Sequence, residues 1–120
     1  AYLDLLNEPG FGIHYDSFHA HIEEQDPISA VTEAYRRGQL RHVHISENDR
    51  GVPGQGQARL RETIAALKAV GYEEWLTIEA FGGSVPELAA ATRIWRPLFA
   101  SEEHVYREGH QFIRDCWASA

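Results

Sequence analysis

Three short apolar-rich runs alternate along this chain with segments of helical periodicity. The runs predict β-strands at residues 11–16 (FGIHYD), 40–46 (LRHVHIS) and 75–81 (WLTIEAF). A loop and then a helical pattern follow each of them. Strand–helix repeats of this length are typical of parallel βα units, so the chain is predicted to be an α/β protein with about three such units.

The segments between and after the strands carry helix start and stop signals. Helices are predicted at 1–6, 27–38, 60–71, 84–97 and 102–117. Asp26 can cap the second of these, just before a proline. Ser84 and Glu87 have the spacing of a capping box. Trp95 and Trp117 recur at helical positions beside other apolar residues, so both are expected to pack into the core.

Alternation along the strands places apolar and ionisable side chains on opposite faces of the sheet. The ionisable face carries His14, Asp16, His42, His44, Thr77 and Glu79. Parallel sheets covered on both sides are usually apolar on both faces, and burying several ionisable groups is costly unless a divalent metal or another partner pairs with them. Asp16, His44 and Glu79 lie near the carboxyl ends of their strands, where βα barrels build active sites. His14 and His42 lie deeper, so packing or support of the ligands is their expected role.

Size, charge and cysteine content limit the classes of function. The 120 residues are expected to form one domain, and the formal net charge of −7 argues against a nucleic-acid partner. No apolar run is long enough for a membrane span, and no leader-like segment opens the sequence. The single cysteine, Cys116, suits a reducing compartment, so a cytoplasmic location is expected.

Four segments carry a family resemblance. They are residues 16–19 (DSFH), 42–50 (HVHISENDR), 53–56 (PGQG) and 77–81 (TIEAF). In order and separation they resemble the xylose-isomerase-like family of TIM barrels, and within it the ketose 3-epimerase branch, which includes D-tagatose and D-psicose 3-epimerases. The resemblance implies that residues 1–120 form a partial domain: the C-terminal portion of a (β/α)8 barrel, with three parallel βα units and a terminal helix.

The same resemblance implies a metal-dependent sugar isomerase or epimerase. Asp16, His44 and Glu79 correspond to ligands of a divalent cation, with Mn2+ expected and Mg2+ or Co2+ as substitutes. His19 and Arg50 correspond to residues that hold the substrate's oxygens, and Glu79 would also be a catalytic acid/base. In that family one glutamate removes the proton next to the ketose carbonyl and a second returns it from the other face, with the enediolate between them stabilised by the metal.

Two departures from the family pattern matter. The second glutamate belongs to the preceding strand in the family, and residues 1–120 do not include that strand; Glu8, beside a Pro-Gly turn, is in the wrong place to replace it. Ser46 stands where many relatives have glycine, which is expected to alter a substrate contact. We therefore expect weak metal binding, no appreciable epimerase activity from the isolated chain, and either dimerisation or binding of a chain that supplies the missing strands.

Simpler roles are open for several of these residues. Asp16 could be only a helix cap, Arg50 only an exposed loop cation, and His21 competes with His19 for the substrate role. Glu47 is expected to be structural. For the whole chain, the alternative to an enzyme fragment is a truncated, non-catalytic domain that keeps the fold, with or without the metal. A third, less favoured hypothesis is that the chain is related to metal-dependent endonucleases; the acidic net charge argues against it.

Overall fold

The computed structural model describes residues 2–6 and 8–120 of the chain. The elements, in chain order, are α1 Tyr2–Leu6, β1 Ile13–Asp16, α2 Ser17–Glu23, α3 Pro27–Arg36, β2 Leu40–Ser46, α4 Leu60–Val70, β3 Leu76–Glu79, α5 Pro86–Ala91 and α6 Glu102–Ser119. Residue 1, in the first predicted helix, lies outside the described residues. Within the described ranges, no helix is long and apolar enough to cross a membrane.

The three strands form one parallel sheet in the order β1-β2-β3. The register sets Asp16 beside His44 and Ser46 beside Glu79, so the carboxyl ends of all three strands lie together. The predicted strands are confirmed, although the first and third are shorter than expected. Beyond the third strand, Phe81 donates its backbone N–H to the carbonyl of Arg50 (2.9 Å) instead of to a neighbouring strand.

Capping residues bound three of the helices that cover the sheet, and the caps at Asp26 and Gly71 were predicted. Asp26 caps α3 by accepting the backbone N–H of Ile28 at 3.2 Å. Gly71 ends α4 in the left-handed region at φ 82°, which glycine adopts without steric cost. The last helix begins after Ser101, whose hydroxyl accepts the N–H of His104 at 3.1 Å.

The predicted helix at 84–97 is wrong in its start, its length and its packing. Ser84 does not cap it, because its hydroxyl donates to Glu102 at 2.7 Å, and α5 begins at Pro86 without a side-chain cap. The helix ends at Ala91, and Arg93 then takes a left-handed φ of 62° that stops further helical turns. Trp95 therefore lies in a loop and is 84% exposed, contrary to the expected core packing.

A short helix that the sequence pattern did not reveal, α2, follows β1 without a loop. It begins there because Asp16 has an extended backbone (φ −125°) and caps the helix with its own side chain. The last residue of β1 is thereby fixed by both the sheet and the helix.

The core lies on one side of the sheet. Five of its apolar side chains are fully excluded from solvent: Val31, Val43, Ile45, Ile64 and Leu67. They come from β2, α3 and α4, and α6 packs against them, with Trp117 partly buried at the edge as expected. The opposite face carries the ionisable side chains, as the alternation predicted.

Candidate metal centre at the carboxyl ends of the strands

Asp16, His44 and Glu79 converge at the carboxyl end of the sheet. Each comes from a different strand, and one potential ligand atom from each lies within 4.8 Å of the other two. His44 Nδ1 is 3.4 Å from Glu79 Oε1 and 3.8 Å from Asp16 Oδ2. A divalent cation with bonds of about 2.0–2.6 Å can span such separations. The arrangement is thus able to hold a metal with two carboxylates and one imidazole.

The imidazole of His44 has an unpaired nitrogen in this cluster. Nδ1 is buried and has no hydrogen-bond partner within the described part of the chain. It lies close enough to Glu79 for an ionic contact, but the two groups are not aligned as a hydrogen bond. An unpaired buried polar atom typically costs about 1–3 kcal/mol. A cation between the carboxylates would remove that cost, so the residues present fit a metal.

Asp16 divides its two oxygens between structure and site. Oδ1 accepts the backbone N–H groups of Phe18 (2.8 Å) and His19 (3.4 Å) and so caps α2. Oδ2 is the oxygen that faces His44. Asp16 can therefore cap α2 and bind a metal at the same time, because each role uses a different oxygen.

Arg50 is held in place from several directions. Its Nη1 forms an ion pair with Glu79 Oε2, and its guanidinium carbon lies 3.6 Å from the ring centre of Phe18 and 5.0 Å from that of Phe81. Only 13% of its side chain is exposed. Its backbone has a left-handed φ of 67°, which costs a non-glycine residue on the order of 1–3 kcal/mol. Arg50 is thus a fixed part of the centre and not an exposed loop cation.

Glu47 organises the loop that carries Arg50. Its side chain is buried, and its carboxylate accepts the backbone N–H groups of Asn48 (3.2 Å), Gly54 (2.9 Å) and Ala58 (2.7 Å). Its own carbonyl accepts the N–H of Arg50 at 2.9 Å. These bonds close residues 47–58 into a compact loop. They agree with the structural role expected for Glu47.

His19 lies beside the three converging residues without joining them. Its ring is exposed and meets the ring of Phe18 edge-on, with centroids 5.1 Å apart. Phe18 in turn stacks on Arg50, so His19 and Arg50 border the same region through one aromatic ring. Glu8 is exposed ahead of the turn at residues 9–10, in the position the sequence indicated.

Ser46 introduces a second unpaired polar atom near the centre. It is fully buried at the end of β2, and its Oγ has no hydrogen-bond partner in the described ranges. Its backbone is already bonded: Ser17 Oγ accepts the Ser46 N–H (2.8 Å) and donates to its carbonyl (2.7 Å). A glycine would leave no such hydroxyl at this point.

A cleft of about 330 Å3 opens beside Arg50. Phe18, Asp49 and Arg50 form one wall, and the loop at 92–98 forms the other, with the exposed Trp95 in it. This volume is at the small end of the range for small-molecule sites. The sequence pattern missed this wall, since it placed Trp95 in a helix.

Parallel βα units with ionisable residues gathered at the carboxyl ends of the strands are typical of βα barrels, whose active sites lie at that edge. Comparison with known families agrees with that class. Residues 1–116 match the family described as the xylose isomerase-like TIM barrel. The chain belongs to that family.

Several of the similar proteins are named as 3-epimerases of keto sugars. A ketose 3-epimerase of Arthrobacter globiformis is 39% identical over 117 residues, which are 96% of this chain and 40% of that protein. The solved structure of an L-ribulose 3-epimerase superposes with a TM-score of 0.89 at 29% identity, covering 98% of this chain and 40% of that one. A D-allulose 3-epimerase from Methylomonas sp. in complex with D-allulose gives a TM-score of 0.84 at 31% identity, covering 95% and 40%. The chain thus spans about 40% of the length of these relatives.

Proposed function

We propose that this chain is the metal-binding part of a divalent-metal-dependent sugar isomerase or epimerase that acts on a ketose or a related hydroxy-carbonyl sugar. One observation carries the proposal: a buried, unpaired imidazole nitrogen of His44 faces carboxylates from both neighbouring strands. The similarity to ketose 3-epimerases, one of them solved with D-allulose, supports the choice of substrate class.

In this proposal Asp16, His44 and Glu79 hold the cation. A site with two carboxylates and one imidazole suits Mn2+, with Mg2+ or Co2+ as substitutes. When bound, the metal supplies Lewis-acid polarisation of a substrate oxygen. Glu79 keeps Oε2 on Arg50 and turns Oε1 toward His44, so its carboxylate is fixed in orientation. That fixed carboxylate is the candidate acid/base for proton transfer at the carbon next to the carbonyl.

Arg50 and His19 are the proposed substrate-binding residues. Arg50 lines the cleft, and its pairing with Glu79 leaves other guanidinium N–H groups as donors to sugar oxygens. His19 borders the same side through Phe18. The Oγ of Ser46, buried and unpaired, is a further group that a sugar hydroxyl could satisfy.

Titration with Mn2+, followed by EPR, tests the metal assignment. Asp16→Asn and Glu79→Gln remove the negative charge of a ligand, the first while keeping an N-cap residue, and His44→Ala removes the imidazole ligand itself. Each should weaken Mn2+ binding by at least about tenfold, the scale on which even outer partners of metal ligands act. Glu62→Gln, an exposed carboxylate on α4, is the matched control and should bind as the parent does. If all three site variants bind Mn2+ as tightly as the parent does, the assignment of these residues as metal ligands is wrong.

The isolated chain should neither turn over sugar nor remain monomeric. Proton return on the second face needs another positioned group, and general acid/base groups contribute on the order of 10²–10⁴-fold.

In the described chain, the edge strands β1 and β3 each pair on one side only. Their free backbone groups can therefore pair with a second copy or with a chain that carries further strands. We propose a two-fold dimer as the simplest form. Light scattering across protein concentrations should show it, and a cooperatively folded monomer would contradict it.

A further inference from the structure

A second cluster of ligating side chains adjoins the first. His14 and His42 are partners across β1 and β2, and His44 follows two residues along β2 on the same face. Their ring centroids are 4.1 Å apart for His14 and His44, and 5.1 Å apart for His14 and His42 and for His42 and His44. One nitrogen of each ring lies within 4.8 Å of one nitrogen of each other ring. The alternation of the strands thus places three imidazoles around one point.

We propose that His14, His42 and His44 form a separate cation site that takes Zn2+ or Cu2+. Three imidazoles with an open fourth position are a common ligand set for zinc. Imidazole donors favour the borderline cations late in the first-row series, and oxygen donors favour Mn2+ and Mg2+. The two neighbouring clusters therefore differ in the class of metal they select: three nitrogens here, against two carboxylates and one nitrogen at the first centre.

Access and support both favour a ligand role for this cluster. His14 is exposed in the described part of the chain, so a cation can reach the rings from solvent. His42 is half-buried, and its Nε2 lies 3.1 Å from the hydroxyl of Thr77 on β3. Ligating histidines usually have their second ring nitrogen held by such a partner. When Nε2 carries the proton and donates it to Thr77, the ring of His42 is held in orientation and Nδ1 keeps the lone pair that a metal needs.

The two sites share His44, and a neutral imidazole has one lone pair available for a ligand bond. One ring therefore cannot serve both cations at once. Zn2+ in the three-histidine site withdraws His44 from Asp16 and Glu79, and this should weaken Mn2+ binding there. The three-histidine site stands independently of the proposed function; only the competition between the two sites rests on it.

Calorimetric titration of the 120-residue chain with Zn2+ alone tests the site. His14→Ala and His42→Ala should each weaken Zn2+ binding by at least about tenfold, by the same reasoning on ligand loss. His110→Ala removes an exposed histidine of α6 and is the matched control, which should bind as the parent does. Circular dichroism confirms that each variant folds. No Zn2+ binding by the parent, or parent-like binding by both His14→Ala and His42→Ala, would overturn the proposal.

The acidic variants separate this inference from the proposed function. Asp16→Asn and Glu79→Gln should leave Zn2+ binding within about twofold of the parent, a far smaller change than ligand loss gives. If Glu79→Gln weakens Zn2+ as much as His14→Ala does, the residues form one mixed site and the inference is wrong. Zn2+ should displace Mn2+ from the parent at a concentration at least about tenfold lower than from His14→Ala, where only direct competition for the first centre remains. If Mn2+ binds nowhere while the Zn2+ pattern holds, the proposed function fails and the three-histidine site remains.

Discussion

Replacing Glu47 by glutamine should destabilise the chain far more than its small chemical change suggests. The side chain is 1% exposed, and its two oxygens accept three backbone N–H groups of the loop at 47–58. Glutamine keeps one oxygen and turns the other into an NH2 donor. The less costly orientation leaves the oxygen on Asn48 and Ala58, so the NH2 group meets the N–H of Gly54. Two donors then face each other in a buried position.

The expected loss of stability for Glu47→Gln is about 2.5–6 kcal/mol. One hydrogen bond to a charged group contributes about 1.5–3 kcal/mol, and leaving a buried donor unpaired costs about 1–3 kcal/mol. That loss is a large part of the 5–15 kcal/mol by which domains are typically stable. Urea unfolding followed by circular dichroism, at one protein concentration, measures it. Glu62→Gln breaks only the exposed pair with Arg59 (2.7 Å) and should change stability by less than about 1 kcal/mol. If Glu47→Gln matches that control, the carboxylate does not hold the loop closed.

Three further substitutions test the packing and the backbone conformation of the chain. Burial raises the pKa of Tyr15 to about 12, while the unfolded tyrosine titrates near pH 10. The folded state therefore keeps its full stability below pH 10 and loses about 2–3 kcal/mol of it as the pH rises from 10 to 12. Unfolding curves across that pH range should show this loss in the parent and not in Tyr15→Phe. Gly38→Ala, at φ 67° in open space, should cost about 1–2 kcal/mol from its backbone alone. Gly54→Ala, at φ 89°, should cost at least about 1 kcal/mol more, because its Cβ would collide with the ring of Phe112; equal losses of unfolding free energy in the two alanine variants would contradict that packing.

The centre was predictable because it depends on a local rule. Side chains alternate along a strand, and parallel strands bring their carboxyl ends to one edge, so Asp16, His44 and Glu79 could be placed together from the sequence. The loops follow no such period. The bond from Ser84 to Glu102 spans eighteen positions of sequence and replaces a cap that the local motif indicated. The exposure of Trp95 follows from the early end of α5, which local periodicity did not show.

Arg50 connects Glu79, which the sequence pattern places in the site, with loop contacts that the pattern does not show. Its partner Glu79 lies on a strand, but its position depends on a left-handed backbone and on two aromatic rings, one from α2 and one from the loop after β3. The carbonyl of Arg50 also accepts the N–H of Phe81, so the loops after β2 and β3 are bonded to each other. A strained residue held by this many contacts indicates a site whose geometry is fixed before any ligand arrives. The orientation of Glu79 is therefore a property of the two loops together, and a change in either loop should alter Mn2+ binding even when Asp16, His44 and Glu79 are intact.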